Sequence, residues 1–131
     1  MSDFTRLSLT HDVENMAPKF GMPEGMESRF ARTPLHMTAG GLSYFRLPPG
    51  VRVPFGHRHG EQEEVYVVVE GSARMKIEDE VVELARFDAV RVPGPVTRGM
   101  EGGPEGAIIL AFGAPNTENK DAEMIPGWWD G

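Results

Sequence analysis

The chain has 131 residues and 40% apolar side chains, enough for one domain with a single core, and its 13 Lys or Arg against 20 Asp or Glu give a formal net charge of −7. This acidic balance excludes a simple basic nucleic-acid binder, and the absence of cysteine excludes disulfides and thiolate metal sites. No stretch has the pattern of a signal peptide or the roughly 18 apolar residues of a membrane-spanning helix, so we expect a soluble, cytoplasmic protein without a nucleic-acid or membrane partner.

Residues 1–34 are predicted to form an arm with little regular structure. Met, Pro and Gly interrupt every periodic pattern between positions 16 and 26, although Thr10 could cap a short helix that ends at Ala17, before Pro18. The arm also carries several large apolar side chains, and leaving each in water would forfeit about 1.5–3 kcal/mol. We therefore expect the arm to lie along the rest of the domain or along a partner subunit.

Residues 35–113 are predicted to be β-sheet. Short apolar runs are separated by Gly or Pro about every ten residues, which is typical of an antiparallel sandwich or barrel. The Asp79-Glu80 pair has the length of a tight turn and predicts a hairpin. The predicted strands are Leu42–Leu47, Val51–Phe55, Glu64–Glu70, Ala73–Glu78, Val81–Leu84, Ala89–Val92 and Ala107–Phe112.

Residues 114–131 are predicted to be an irregular, polar tail that ends near two adjacent tryptophans, Trp128 and Trp129. Each ring can bury a large area, so we expect the tail to dock on the barrel or on a neighbouring subunit. The alternative, in which the two rings form a stacking platform for a sugar or a base, is the weaker interpretation at a chain terminus.

Three potential metal ligands, His57, His59 and Glu64, are close together in the chain. On an extended strand His57 and His59 point to the same side, and residues 60–63 are short enough to fold back, so Glu64 would begin the adjacent strand about 5 Å away. Two imidazoles and one carboxylate on one side of an ion form the facial arrangement of non-haem iron proteins. The sequence thus predicts a site for a divalent transition metal such as Fe, Mn, Ni or Zn, with Glu63 as a rival ligand.

This segment resembles the first motif of the cupin superfamily: His-x-His, four residues, Glu, six residues, Gly. The motif is matched by His57, His59, Glu64 and Gly71. The resemblance extends from about Leu42 to Gly113 and is to the single-domain, conserved-barrel cupins. It implies an all-β fold, a small double-stranded β-helix or jelly-roll barrel. It also favours Glu64 over Glu63 as the ligand, because Glu63 would break the six-residue interval before Gly71.

The strand that follows Glu64 has two different faces. Tyr66 shares the face of Glu64 and would lie beside the metal pocket, where it could exchange a proton or simply pack in the core with its hydroxyl satisfied. Val65, Val67 and Val69 share the opposite face. These valines would fill the space between two sheets or form a dimer contact.

The second cupin motif is altered in this chain. Where the family has the histidine that completes the protein ligands of the metal, the chain has Arg98, and Phe87 stands at the place of a glycine. A guanidinium has no acceptor and stays charged, so Arg98 cannot ligate a cation. A positive charge about 4–6 Å from the ion would repel it by a few kcal/mol at an effective dielectric near 20, so we expect weakened metal binding.

Two interpretations of Arg98 remain open. If a metal binds, the planar fork of Arg98 would clamp a carboxylate or phosphate of the substrate in a bidentate pair. If no metal binds, Arg98 would form an ion pair with Glu64, and the histidines would line a polar pocket. Gln62 and Met100 are further candidates for contacting a bound ligand.

The sequence therefore predicts a cupin that binds a small, anionic metabolite. One hypothesis is an enzyme in which a metal activates a small organic acid, with or without O₂, and Arg98 and Tyr66 are catalytic residues. The alternative is a non-catalytic, metal-free binding module. A homodimer is expected in either case, because an open sheet edge and apolar terminal segments are relieved by pairing with a second copy.

Overall fold

Eight strands form one curled antiparallel sheet in the computed structural model, which describes residues 3–118 and 120–130. The strands are β1 Glu27–Phe30, β2 Gly41–Leu47, β3 Phe55–Arg58, β4 Glu63–Ile77, β5 Glu80–Leu84, β6 Ala89–Val92, β7 Arg98–Ala114 and β8 Glu123–Pro126. Two short 3-10 helices, Ala17–Phe20 and Trp128–Asp130, lie near the two ends of the chain. Among the described residues, no helix is long and apolar enough to cross a membrane.

The two longest strands, β4 and β7, form the backbone of a jelly-roll barrel. They pair with each other from Glu63↔Ala114 to Ile77↔Arg98. The first half of β4 also pairs with β6 and its second half with β5, while β7 pairs with β2 at one end and with β3 at the other. Each long strand therefore has different neighbours along its length, and the sheet closes on itself around one core. The predicted all-β, double-stranded β-helix fold of cupin type is confirmed.

The bend that lets β4 follow the curl lies around Gly71. The β4–β7 register shifts on both sides of this residue, which has a left-handed φ of 73°. A Cβ at this position would overlap the carbonyl oxygen of Gly106 on the facing strand. Only glycine combines that φ with so close an approach of two backbones, which explains why the motif has glycine here.

The strand predictions are confirmed for β2, β5 and β6 and need correction elsewhere. Glu64–Glu70 and Ala73–Glu78 are two parts of β4, and Ala107–Phe112 is the second half of β7. Val51–Phe55 is not a strand: Arg52 makes an isolated bridge, and β3 starts only at Phe55, directly after Pro54, which cannot donate to a ladder. The hairpin exists, but Ile77 pairs with Glu80, so the turn is one residue earlier than predicted.

The N-terminal segment contains more regular structure than predicted. Its β1 pairs antiparallel with β2, and the predicted helix from Thr10 to Ala17 is absent. The 3-10 helix begins at Ala17 instead, with Pro18 in its first turn, where the missing amide of proline costs nothing. Phe30 of β1 packs edge-on against Phe45 of β2, with ring centroids 6.1 Å apart.

The C-terminal segment lies against the barrel through β8 and Trp128. The strand β8 pairs with β3 over four residues, from Phe55↔Pro126 to Arg58↔Glu123. The Trp128 ring lies over β3 and β7 where both carry glycine: a Cβ on Gly56 or Gly99 would approach it to 2.7 or 2.8 Å. The indole Nε1 of Trp128 donates to the carbonyl of Lys76 at 3.0 Å. This end of the chain is thus held next to the strand that carries His57.

Candidate metal centre

His57, His59 and Glu64 meet across the interior of the curled sheet. His57 lies in β3, His59 follows directly after it, and Glu64 is the second residue of β4. The prediction that β3 and β4 are adjacent strands is wrong, because within the described residues β3 pairs with β7 and β8 whereas β4 pairs with β5, β6 and β7. Curvature of the sheet, and not a cross-strand ladder, brings the carboxylate to the imidazoles.

The geometry of the three side chains fits one metal ion. One potential ligand atom from each residue lies within 4.8 Å of the other two. Oε1 of Glu64 is 3.1 Å from Nε2 of His57 and 3.4 Å from Nε2 of His59. Metal–ligand bonds of about 2.1 Å at right angles place neighbouring ligand atoms roughly 3 Å apart, close to these separations. The donor set of two imidazoles and a carboxylate is also the chemistry that transition metals prefer.

The site is open to solvent on one side. The side chain of His57 is 23% exposed, against 13% for Glu64 and 5% for His59. An ion or small ligand therefore has access from the His57 side. Two surface cavities of about 620 and 590 Å³ lie elsewhere, against the N-terminal segment and β2, and none of the three residues lines them.

Tyr66 and Arg98 also contact the Glu64 carboxylate. The Tyr66 hydroxyl donates to Oε1 of Glu64 at 2.6 Å and lies 3.3 Å from Nε2 of His57. Nη2 of Arg98 is 3.3 Å from the same Oε1, and Nη1 donates to the carbonyls of Gly94 and Val96 at 3.2 and 2.8 Å. Arg98 is completely buried, yet its Nε and Nη2 have no hydrogen-bond acceptor in the described part of the chain.

The surroundings fix the charge of the acid and of the phenol. Burial by itself raises the pKa of the Glu64 carboxyl, but hydrogen bonds from His57 and His59 outweigh it and hold that pKa far below its usual range. Burial, reinforced by the nearby Glu64 charge, raises the pKa of the Tyr66 hydroxyl well above its usual value. Glu64 is therefore an anion, as a metal ligand must be, and Tyr66 keeps its proton and acts as a donor.

Gln62 and Met100 are buried, but their contacts are with the barrel frame. The Gln62 side chain packs against Gly113 and donates from Nε2 to the carbonyl of Pro115 at 3.1 Å. Met100 belongs to the hydrophobic core, and its partner across the sheet is Met75. The rival ligand Glu63 points away, to an exposed ion pair with Arg91 at 3.2 Å.

Asp121 is a polar neighbour of the site that the sequence analysis missed. Its Oδ1 lies 3.1 Å from Nδ1 of His59, on the side of the ring opposite to Glu64. Asp121 is in the irregular segment before β8, and only the pairing of β8 with β3 brings it to the site. No spacing rule links it to the His-x-His motif, so no signal in the sequence could have indicated it.

A curled all-β barrel with two histidines and a glutamate converging inside it defines a jelly-roll protein with a candidate metal centre. The family described as "Cupin domain" matches residues 43–108, which is half of the chain. The chain belongs to the cupin family, as the motif predicted. None of the functionally curated proteins matches it.

Solved structures with a similar fold include other cupins and two named enzymes. A cupin protein from Bacteroides fragilis has 22% identity and a TM-score of 0.71 over 89% of this chain and 88% of that one. A variant of Bacillus subtilis oxalate decarboxylase has 22% identity and a TM-score of 0.75 over 95% of this chain and 33% of that one. Salicylate 1,2-dioxygenase from Pseudoaminobacter salicylatoxidans, solved with gentisate, has 17% identity and a TM-score of 0.66 over 83% of this chain and 32% of that one. At these identities the likeness establishes the fold alone.

Proposed function

We propose that this cupin binds a divalent transition metal, Fe, Mn, Ni or Zn, through His57, His59 and Glu64, and binds a small carboxylate-bearing metabolite beside it. The observation that carries the proposal is the convergence of three ligand atoms next to a buried guanidinium whose Nε and Nη2 make no hydrogen bond in the described part of the chain, Nη2 having only the ion-pair contact with Glu64. Buried donors without acceptors cost about 1–3 kcal/mol, so Arg98 gains from an anionic ligand that accepts from Nε and Nη2.

The charge of the loaded site supports an anion as the ligand. A divalent ion and Arg98 together carry three positive charges, whereas Glu64 and Asp121 supply two negative ones. The remaining positive charge lies in a largely buried place, where Coulomb energies are several times larger than in water. A carboxylate completes the neutralisation. Two of the similar structures are of enzymes named for small organic acids, oxalate and salicylate, which agrees with this class of ligand.

In the proposed enzyme the metal, Arg98 and Tyr66 have separate roles. When bound, the metal supplies Lewis-acid polarisation of an oxygen of the substrate. Arg98 holds and orients the anionic group, since its Nη1 is anchored on two backbone carbonyls. Tyr66 keeps its proton at the hydroxyl oxygen because its pKa is raised, so it acts as a hydrogen-bond donor and not as a base, and in the proposed enzyme it exchanges that proton with the substrate. Ligand contacts by Gln62 and Met100 stay a prediction from the sequence, because in the structure both side chains pack within the barrel frame.

A second candidate function is a metal-free binding module without catalysis. The observation that favours it is the 3.3 Å separation of Arg98 Nη2 and Glu64 Oε1, because the guanidinium then supplies the cation that a metal would otherwise provide. In this case His57, which is partly exposed, and Tyr66 recognise the ligand by hydrogen bonds. Metal content separates the two candidates.

The decisive experiment is elemental analysis of the protein after growth with Fe, Mn, Ni and Zn, followed by calorimetric titration of the metal-free protein with each ion. We expect one bound ion per chain in the wild type and none in Glu64→Gln. Glu63→Gln is the matched control, since it makes the same change on the adjacent, outward-facing residue. Absence of metal from the wild type, or equal loss in both variants, would overturn the metal-binding function.

We also propose that the protein is a homodimer, through the outer face of β2, β4 and β7. Val65 pairs with Phe112, which in turn pairs with Leu42, and Val67 pairs with Leu110, so apolar side chains form adjoining rows. They lie on the face opposite to the buried Tyr66, and Phe112 is 47% exposed. Light scattering on a size-exclusion column tests the proposed dimer. We expect twice the 14.4 kDa chain mass for the wild type and the mass of a single chain for Phe112→Glu. A wild-type monomer would refute the dimer.

A cytoplasmic location stays a prediction from the sequence.

A further inference from the structure

The carboxylate of Asp121 accepts hydrogen bonds from the loop between His59 and Glu64. Oδ2 accepts from the backbone amides of Glu61 at 2.9 Å and Gln62 at 3.1 Å. The backbone carbonyl of Asp121 accepts from the amide of Gly60 at 3.2 Å. A single residue of the C-terminal segment thus holds three consecutive amides of the loop that separates the second imidazole from the acid.

The other oxygen of Asp121 meets the His59 ring. Oδ1 accepts from the Thr117 hydroxyl at 2.7 Å and lies 3.1 Å from Nδ1 of His59. Both oxygens of Asp121 therefore already accept hydrogen bonds, Oδ2 from two backbone amides and Oδ1 from the Thr117 hydroxyl. A carboxylate bound in this way is an acceptor, so the proton between Asp121 and His59 belongs to Nδ1.

The two ring nitrogens of His59 therefore have different roles: Nδ1 contacts Asp121 and Nε2 faces the candidate metal centre. Because the Nδ1 proton is held by Asp121, Nε2 is the nitrogen that faces Oε1 of Glu64 in the candidate metal centre. While the metal-free ring is charged, Nε2 shares a second proton with Glu64, and a bound ion takes the place of that proton. We infer that Asp121 is a positioning residue that holds His59 in the Nδ1–H tautomer and so presents Nε2 to the metal. The inference rests on the proposed metal-binding function and deepens it: it adds a residue that no cupin motif in this chain contains.

The position of Asp121 depends on how the C-terminal segment docks. The strand β8 begins two residues later and is held to β3 by its backbone ladder, whereas the ion pair of 2.7 Å between Arg58 and Glu123 is solvent-exposed and contributes little to the docking. Trp128 then lies against Gly56 and Gly99. Metal affinity is consequently linked to the docking of a segment that supplies no ligand.

The test compares Asp121→Asn with Glu123→Gln, which makes the same acid-to-amide change at an exposed position of the same segment. In Asp121→Asn the remaining side-chain oxygen can still accept from the loop amides, but the new NH₂ group faces His59 and can only donate. We therefore expect His59 to move its proton to Nε2. Zn²⁺ affinity should fall about 10–100-fold in Asp121→Asn, as is usual when the hydrogen-bond partner of a metal-bound histidine is lost, and should not change in Glu123→Gln.

The second measurement is the His59 tautomer, read from imidazole ¹⁵N shifts of the metal-free protein in alkaline buffer. A merely structural role for Asp121 would not move this signal. We expect Nδ1–H in the wild type and in Glu123→Gln, and Nε2–H in Asp121→Asn. Nε2–H in the wild type overturns the inference without the need for any variant, as does wild-type Zn²⁺ affinity in Asp121→Asn. Failure of the wild type to bind any of the four metals, with Nδ1–H present, instead contradicts the proposed function.

Discussion

Arg98 and Glu64 form a buried ion pair, with Nη2 and Oε1 3.3 Å apart, where cupins have a histidine in place of the arginine. The pair leaves Nε and Nη2 of Arg98 without a hydrogen-bond acceptor in the described part of the chain and gives Glu64 a positive neighbour that is always charged. A metal ion must share the Glu64 carboxylate with that guanidinium. In the proposed function, the substitution weakens cation binding and provides an anion site in the same place.

Arg98→His should raise the affinity for divalent metals. The change removes a charge that repels the ion by a few kcal/mol at an effective dielectric near 20, and it adds an imidazole at the place where the family has its remaining ligand. We expect at least a tenfold gain, about 1.4 kcal/mol, in calorimetric titrations with Mn²⁺, Ni²⁺ or Zn²⁺. Arg98→Gln, which removes the charge without adding an imidazole, should gain less. Unchanged affinity in Arg98→His would show that Arg98 does not oppose the metal.

Small carboxylates should stabilise the wild type through Arg98. A ligand that binds only the folded state at 100 times its Kd adds about 2.7 kcal/mol to the free energy of unfolding, so oxalate or a similar acid should raise the Tm by several degrees. The increase should disappear in Arg98→Ala and persist in Arg58→Ala, because Arg58 is exposed and paired with Glu123. Thermal unfolding followed by circular dichroism measures all three proteins. The same increase in Arg98→Ala would exclude the arginine clamp.

Phe87 stands where the cupin motif has glycine, and its backbone explains that preference. Its φ of 69° is left-handed, and its ring is 67% exposed beside Arg86. A Cβ in this conformation costs about 1–2 kcal/mol, whereas at ordinary positions glycine is the less stable choice by roughly 0.5–1 kcal/mol. Phe87→Gly should therefore be more stable than Phe87→Ala by about 1 kcal/mol in urea unfolding. The opposite order would mean that the turn relaxes to accept a side chain.

Gly71→Ala should destabilise the protein more than Gly50→Ala. Both glycines have a left-handed φ, 73° and 69°, so both variants lose about 1–2 kcal/mol from that strain. Only at position 71 does the new methyl group also overlap the backbone of Gly106; around Gly50 there is open space. The difference in the free energy of unfolding isolates the cost of the overlap. Equal losses would show that β4 and β7 can separate at the bend without penalty.

Local patterns were sufficient to predict the strands that have ordinary ladders and the three candidate ligands. Alternation along β4 placed Tyr66 on the side of Glu64, and both side chains share a hydrogen bond in the structure. The stretch 98–106 was missed because its glycines and proline indicate turns, although here glycine provides room for other groups, such as Trp128 against Gly99. The strand β8 was missed because its short sequence carries no period that distinguishes it from a loop.

The amino-acid order by itself determined the family, the barrel and the identity of the two imidazoles and one acid, because these depend on residue types at short, fixed intervals. It also determined that a guanidinium replaces the remaining histidine. Only the tertiary structure decided how these groups meet, since β3 and β4 approach through curvature of the whole sheet and not through a shared ladder. It alone brought Asp121 to His59 across 62 positions of the chain, because β8 pairs with β3, and a long-range pairing of that kind leaves no local pattern.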